Sequence, residues 1–151
     1  MQIKIAEEKH YLDLMRMALG FFEASPYAHL GLDESRIGRN IRFFLDGPKT
    51  ERIALVLEHE GKAVGVLLAQ TTTIIFAELK VGLEVMWWVE PEFRGKRKSF
   101  DLIFAFESWA RTVGCTLTQL TTVETYQADK IGSFYKRIGY EVAETNFLKE
   151  L

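Results

Sequence analysis

Four cationic side chains, Arg94, Lys96, Arg97 and Lys98, crowd one short run that Gly95 and Ser99 complete. Before it, the apolar Trp87-Trp88-Val89 reads as the end of a strand, and Glu90-Pro91-Glu92-Phe93 as a turn. After it, a helical pattern begins. A helix N-terminus presents unpaired backbone N–H groups and about half a positive charge, so it attracts anions. Amides set beside four cations are a recipe for holding a phosphate. The formal net charge of the chain is −2, which argues against a general nucleic-acid binder. One local basic cluster in an otherwise balanced chain fits a small anion better than a long polyanion.

A second residue with chemical promise is Glu84. It is the only acid inside the apolar run Leu83 to Val89, with Glu90 standing at the end of that run. A carboxyl group in apolar surroundings has a raised pKa, which suits a general base near neutral pH. Strict alternation puts Glu84, Met86 and Trp88 on one face of the strand, and Val85, Trp87 and Val89 on the other. Other chemistries find little support. The single cysteine, Cys115, has no internal disulfide partner and sits in an apolar context that predicts core packing. His10, His29 and His59 are dispersed, and no Cys/His spacing suggests a metal site. The N-terminus lacks an apolar signal segment, and no apolar run reaches the ~20 residues that span a membrane. These features predict a metal-free cytoplasmic protein with no membrane partner.

The elements that must position these residues follow from periodicity. With 48% apolar and 26% charged residues, residues 1–151 read as a single domain with a real core. Gln2 to Ala6 is an opening strand. Glu7 to Phe22 is a helix, and Asp33 caps a second one that runs through Leu45. Ile53 to Glu58 and Ala63 to Gln70 form a hairpin across His59-Glu60-Gly61-Lys62, with Thr71 to Ile75 prolonging its second strand. Leu83 to Val89 is a central strand, Ser99 to Val113 a helix stopped by Gly114, and Thr116 to Val123 a strand. Asp129 to Ile138 is a helix closed by Gly139, and Tyr140 to Leu148 a final strand or two short ones. The order β-α-α-β-β-β-α-β-α-β predicts a mixed sheet of the α/β (α+β) class with helices on both faces.

The loop at Arg94 to Ser99 and the later run Phe134-Tyr135-Lys136-Arg137-Ile138-Gly139-Tyr140 together resemble the two signature regions of the GNAT superfamily of N-acetyltransferases, over essentially the whole chain. The family's pyrophosphate loop reads Q/R-x-x-G-x-G/A. Arg94 matches its first position, while Arg97 and Ser99 stand where the family has Gly and Gly/Ala. Ala128 stands where the family often has an asparagine. The resemblance implies an acetyl-CoA co-substrate held by Arg94, Gly95, Lys96, Arg97, Lys98 and Ser99, with Trp87, Trp88 and Val89 along its pantetheine arm. It implies Glu84 as the base, directly or through water, for a primary amine that attacks the thioester directly, with Glu124 in reserve. It implies that Tyr135 protonates the departing thiolate. The connection carrying Tyr27 and His29, with Glu124, would wall the acceptor site. The acceptor would be a small amine, a protein amine or a modified nucleobase. Arg36, Arg39 and Arg42 share a helix face. The runs Trp88 to Gly95, Phe106 to Ala110 and Asn146 to Leu151 are similar to GNAT proteins of tailed bacteriophages, and family members often form homodimers. The competing reading is a catalytically weak binding module on the same fold, holding an acyl-CoA or a protein partner.

Overall fold

The computed structural model describes residues 1–151. A five-stranded sheet runs in the order β1 (Gln2–Ile5), β2 (Arg52–His59), β3 (Lys62–Thr73), β4 (Lys80–Val89) and β5 (Leu117–Gln119). The first four strands pair antiparallel and β4 pairs parallel with β5. The β2–β3 hairpin turns through Glu60 and Gly61, both at positive φ (50° and 79°), as a two-residue turn between right-twisted strands requires.

Helices cover both faces. On one lie α1 (Tyr11–Ala24) and α2 (Glu34–Asp46), whose Leu14, Met17, Ile41 and Phe44 pack on Val56, Val66, Leu68 and Met86. On the other lie α3 (Arg97–Thr112) and α4 (Ala128–Arg137), with Leu102, Ile103, Phe106 and Tyr135 against Leu55, Leu57, Leu67 and Val89. The sequence signals act as read: the Asp33 side chain accepts the Arg36 N–H at 3.0 Å to cap α2, and Gly114 (φ 83°) and Gly139 (φ 100°) end their helices in the left-handed region. In the arginine row, Arg42 pairs with Glu8 and lies over the Tyr11 ring at 4.2 Å, bracing α2 against the start of α1.

The structure corrects three expectations. Tyr140 to Leu148 forms no strand; this run is outside every helix and strand, with Val142 and Phe147 exposed. The strand expected over Thr116 to Val123 shrinks to Leu117–Gln119, because both peptide groups of Thr121 are engaged by side chains instead of a sheet ladder. A final strand therefore has only a three-residue edge to pair with. Cys115 is half-buried rather than a core residue, and burial pushes its thiol pKa up.

Two glycines test the packing. A Cβ on Gly82 would stand 3.0 Å from the Ala110 Cβ and 3.3 Å from Phe106, whereas one on Gly132 would meet only Thr122 at 3.9 Å. Gly82→Ala is expected to destabilise the fold by about 1–3 kcal/mol through overpacking. Gly132→Ala, inside α4, is expected to stabilise it by up to about 1 kcal/mol. Urea unfolding of the two variants measures both.

Candidate active site

The site opens where β4 and β5 part company. They pair only from Val81↔Leu117 to Leu83↔Gln119, after which β4 continues alone on that side to Val89. The β3–β4 register shifts between Leu68 and Ala69: Leu68 pairs with Met86 and Ala69 with Glu84, so Val85 is the extra residue of a bulge. This overturns the straight alternation. Gly82 packs on Ala110 and Phe106, and Ala69 opposite Glu84 belongs to the same α3-side core. Glu84 therefore shares its face with Trp87 and Val89, while Met86 and Trp88 face α1 and α2. The bulge leaves Val85 exposed. It lies in β4 just beyond the last pair with β5.

Glu84 is 6% exposed. Desolvation pushes its pKa up to about 7, opposed in part by the Thr121 N–H donated to Oε2 at 3.0 Å. Tyr135, also buried, donates its hydroxyl to the Thr121 carbonyl at 3.2 Å. One residue thus ties the two groups together, acid to its amide and phenol to its carbonyl. Burial, then the charge of Glu84, raises the Tyr135 pKa, so the phenol stays protonated across the working pH range. Tyr140 is pushed up to about 12, mainly by burial, and bonds Thr118 and Glu107 at 2.9 and 3.1 Å. A carboxyl poised near neutrality beside a permanently protonated phenol can accept one proton and donate another. Thr121 escaped the sequence reading because its role is carried by backbone groups.

At the cationic loop, Gly95 takes φ 71° and Lys96 is the N-cap residue of α3. Arg97 and Ser99 are helical, so the conformation that favours glycine falls on Gly95, which is glycine. No side chain caps this helix and its first turn contains no acid. Cations at Lys96, Arg97 and Lys98 crowd the positive end of the dipole, an arrangement that an anion relieves. Lys98 also pairs with Asp101 at 3.1 Å, and Lys96 lies 4.6 Å over the Phe93 ring. Ser99 is buried, with amide and hydroxyl both directed to the Lys96 carbonyl at 3.0 and 2.6 Å.

The Arg94 side chain folds back onto β4. Its Nε donates to the Val89 carbonyl at 2.7 Å, and its guanidinium carbon lies 4.4 Å from the Trp88 ring and 5.0 Å from Tyr126. Trp87 turns to the other face, between Phe100 (6.1 Å) and Tyr135 (6.3 Å). Tyr27 and His29 are exposed on the connection after α1, His29 within 3.6 Å of Glu150. Glu124 is exposed beside Thr125, whose hydroxyl donates to the Ala24 carbonyl at 2.6 Å and fastens that loop to the end of α1. No group of three or more His, Cys, Asp or Glu side chains is placed to hold a metal ion. No helix is long and apolar enough to cross a membrane.

A parted β4/β5 pair, a bulged strand bearing a buried acid and an uncapped basic helix start offer an unpaired strand edge, a group that can exchange a proton and a site for an anion. The model of the Acetyltransferase (GNAT) family matches residues 13–140. The chain belongs to the GNAT family of acetyltransferases. It has the GNAT fold and is an acyltransferase by family. None of the curated proteins matches it. Among solved structures, it is similar to AAC(6')-Iy in complex with the bisubstrate analogue CoA-S-monomethyl-acetylneamine, with TM-score 0.74, 16% identity and 99% and 97% of the two chains covered. It is also similar to a ribosomal-protein-alanine N-acetyltransferase from Brucella melitensis, with TM-score 0.74, 14% identity and 100% of each chain covered. A transcriptional regulator from Bacillus halodurans C-125 has TM-score 0.79 at 18% identity, with 99% of each chain covered. At these identities the likeness is one of fold.

Proposed function

We propose that the chain is an acetyl-CoA-dependent N-acetyltransferase that acetylates a primary amine by direct attack on the thioester. The observation that carries this reading is the buried Glu84 carboxyl, poised at about 7 on the bulge of β4 and linked through Thr121 to Tyr135. Support for the coenzyme comes from the uncapped start of α3, the cations of its first turn with no acid among them, and the buried Trp87 indole N–H that lacks a protein partner. The amides of Arg97 and Lys98, with the Lys96, Arg97 and Lys98 side chains, hold the pyrophosphate, and Gly95 lets the backbone turn toward it. Arg94 and Ser99 complete this loop, and the free edge of β4 at Trp87, Trp88 and Val89 runs along the pantetheine arm. When bound, the coenzyme supplies an activated acetyl group.

The residues of the chain then move the protons. Above pH 7 Glu84 is a carboxylate and takes a proton from the acceptor ammonium, directly or through water, leaving a neutral nucleophile. Tyr135 turns its hydroxyl from the Thr121 carbonyl to donate to the departing sulfur. Because the phenol is so weak an acid, Tyr135→Phe is expected to lower kcat about tenfold while leaving coenzyme affinity in place. Stopped-flow thiol release beside calorimetry measures the two separately. Tyr27, His29 and Glu124 line the approach of the acceptor, which we place among small amines, protein amines or modified nucleobases. The same reading takes residues 1–151 as one domain acting in the cytoplasm, resembling the GNAT proteins of tailed bacteriophages and able to form a homodimer.

A second reading has one observation in its favour: the Ser99 amide, at the position where the family has a small residue, is engaged by Lys96 rather than turned outward. It makes the chain a weak or inactive acyl-CoA-binding or protein-binding module. Calorimetric titration of acetyl-CoA into the wild type and an Arg97→Ala/Lys98→Ala variant tests the coenzyme site. Micromolar binding lost in the variant is expected. No binding at millimolar ligand overturns both the transferase and the acyl-CoA module.

A further inference from the structure

Three polar atoms on the α1 side of β4 are buried without a protein partner: Trp88 Nε1, Tyr126 Oη and Arg94 Nη2. Native proteins leave few such groups, and each calls for an explanation. The two aromatic residues come from elements far apart in the chain. Trp88 comes from β4 and is wedged against α1, where a Cβ on Gly20 would stand 3.0 Å from its ring. Tyr126 comes from the loop after β5. That loop is fastened by Thr125 to Ala24, turned by the Tyr126 N–H to Val123 carbonyl bond (2.8 Å), and left through Gln127 at φ 47°. A non-glycine residue in the left-handed region marks a conformation that its surroundings enforce. The Trp88 and Tyr126 rings lie 5.6 Å apart at 40°, an open V. The Arg94 guanidinium sits in its mouth, 4.4 and 5.0 Å from the two rings. The two rings thus already face one cation, a side chain of the protein itself.

We propose that the Trp88–Tyr126 V recognises a second cationic nitrogen of the acceptor, with Arg94 as its internal placeholder. Resting on the acetyltransferase reading, this makes the acceptor a di- or polycationic amine. An ammonium held against aromatic faces stays protonated and is no nucleophile. Trp88 moreover faces α1, whereas Glu84 faces α3. An acceptor that engages both sites therefore presents one nitrogen to the V and a different one to Glu84. A cation entering the V displaces Arg94, whose loop lies beside the proposed pyrophosphate site, where the guanidinium finds an anionic partner. Coenzyme and acceptor thereby favour each other's binding, and by linkage the enhancement is equal in both directions.

Spermidine and butylamine serve as probes, titrated calorimetrically into the protein with and without CoA, which binds but cannot acetylate. Spermidine is expected to bind at least about tenfold tighter than butylamine, and CoA to tighten spermidine further. Arg94→Ala is expected to tighten spermidine about tenfold in the absence of CoA. Tyr126→Leu is expected to weaken spermidine about tenfold and leave CoA affinity in place, whereas Tyr126→Phe, which keeps the ring, retains spermidine binding. Equal affinity for the two amines, or a Tyr126→Leu variant that binds spermidine as the wild type does, overturns the proposal. If CoA does not bind, the coenzyme reading fails. The Arg94→Ala and Tyr126→Leu arms without CoA then still decide whether the V takes cations.

Discussion

Replacing Glu84 by glutamine is expected to lower the rate of amine acetylation by about 10²–10⁴-fold at pH 8 while coenzyme binding persists, the range that a positioned general base contributes. The pH dependence is the sharper sign. With its pKa raised to about 7, Glu84 is protonated and inert as a base below that value. Wild-type kcat/KM therefore climbs with pH and levels off above about 7, and the variant loses this limb. Stability runs the other way. The folded protein holds a proton on Glu84 that the unfolded chain, near 4.5, has already lost. Folding stability thus falls as pH rises from about 4.5 through about 7. The gap corresponds to at most about 3 kcal/mol at pH 8. Glutamine still accepts the Thr121 N–H and carries no charge into the buried site. Glu84→Gln is expected to raise Tm at pH 8 and to bring no gain near pH 4. A variant as active as the wild type, or one less stable at pH 8, contradicts the assignment of a buried base.

The second large effect concerns the start of α3. Lys96 occupies an N-cap position where aspartate belongs on physical grounds, and two further cations follow in the first turn with no acid among them. Lys96→Asp is expected to stabilise the fold by about 1–2 kcal/mol, from the cap and the dipole together. The same change sets a carboxylate among the amides proposed to hold the pyrophosphate, and is expected to weaken acetyl-CoA binding about a hundredfold. Chemical denaturation and calorimetry on one preparation read both quantities. Higher stability with unchanged affinity would show that the pyrophosphate lies elsewhere.

The features legible in the sequence were those written in local chemistry. Asp33 caps its helix, Gly114 and Gly139 end theirs, and Gly95 takes the positive φ that the loop needs. The element order through α4, the basic loop and the lone acid of the apolar strand all followed from residue type and spacing. What escaped depends on the partner of a segment. The run Val85 to Val89 is apolar throughout and gives no sign of an interruption, and only the register of β3 reveals Val85 as a bulge that carries Glu84 to the other face. Thr121 acts through its peptide groups, so its side chain gives no hint. Nothing in the sequence singles out Tyr126, whose meeting with Trp88 and Arg94 is set by a contact across the chain. The Tyr140 to Leu148 run has strand-like residues and no strand edge long enough to receive them.

Acetyl transfer to an amine with Glu84 as the base is the proposal on which the other roles depend. Its most direct test follows free-thiol release from acetyl-CoA, and the mass of the acceptor, across a panel of primary amines from pH 5 to 9, wild type beside Glu84→Gln. Amine-dependent thiol release matched by N-acetylated product is expected, rising through about pH 7 in the wild type and flat and far slower in the variant. Tight acetyl-CoA binding without amine-dependent thiol release at any pH would contradict it and make the chain a coenzyme-binding module.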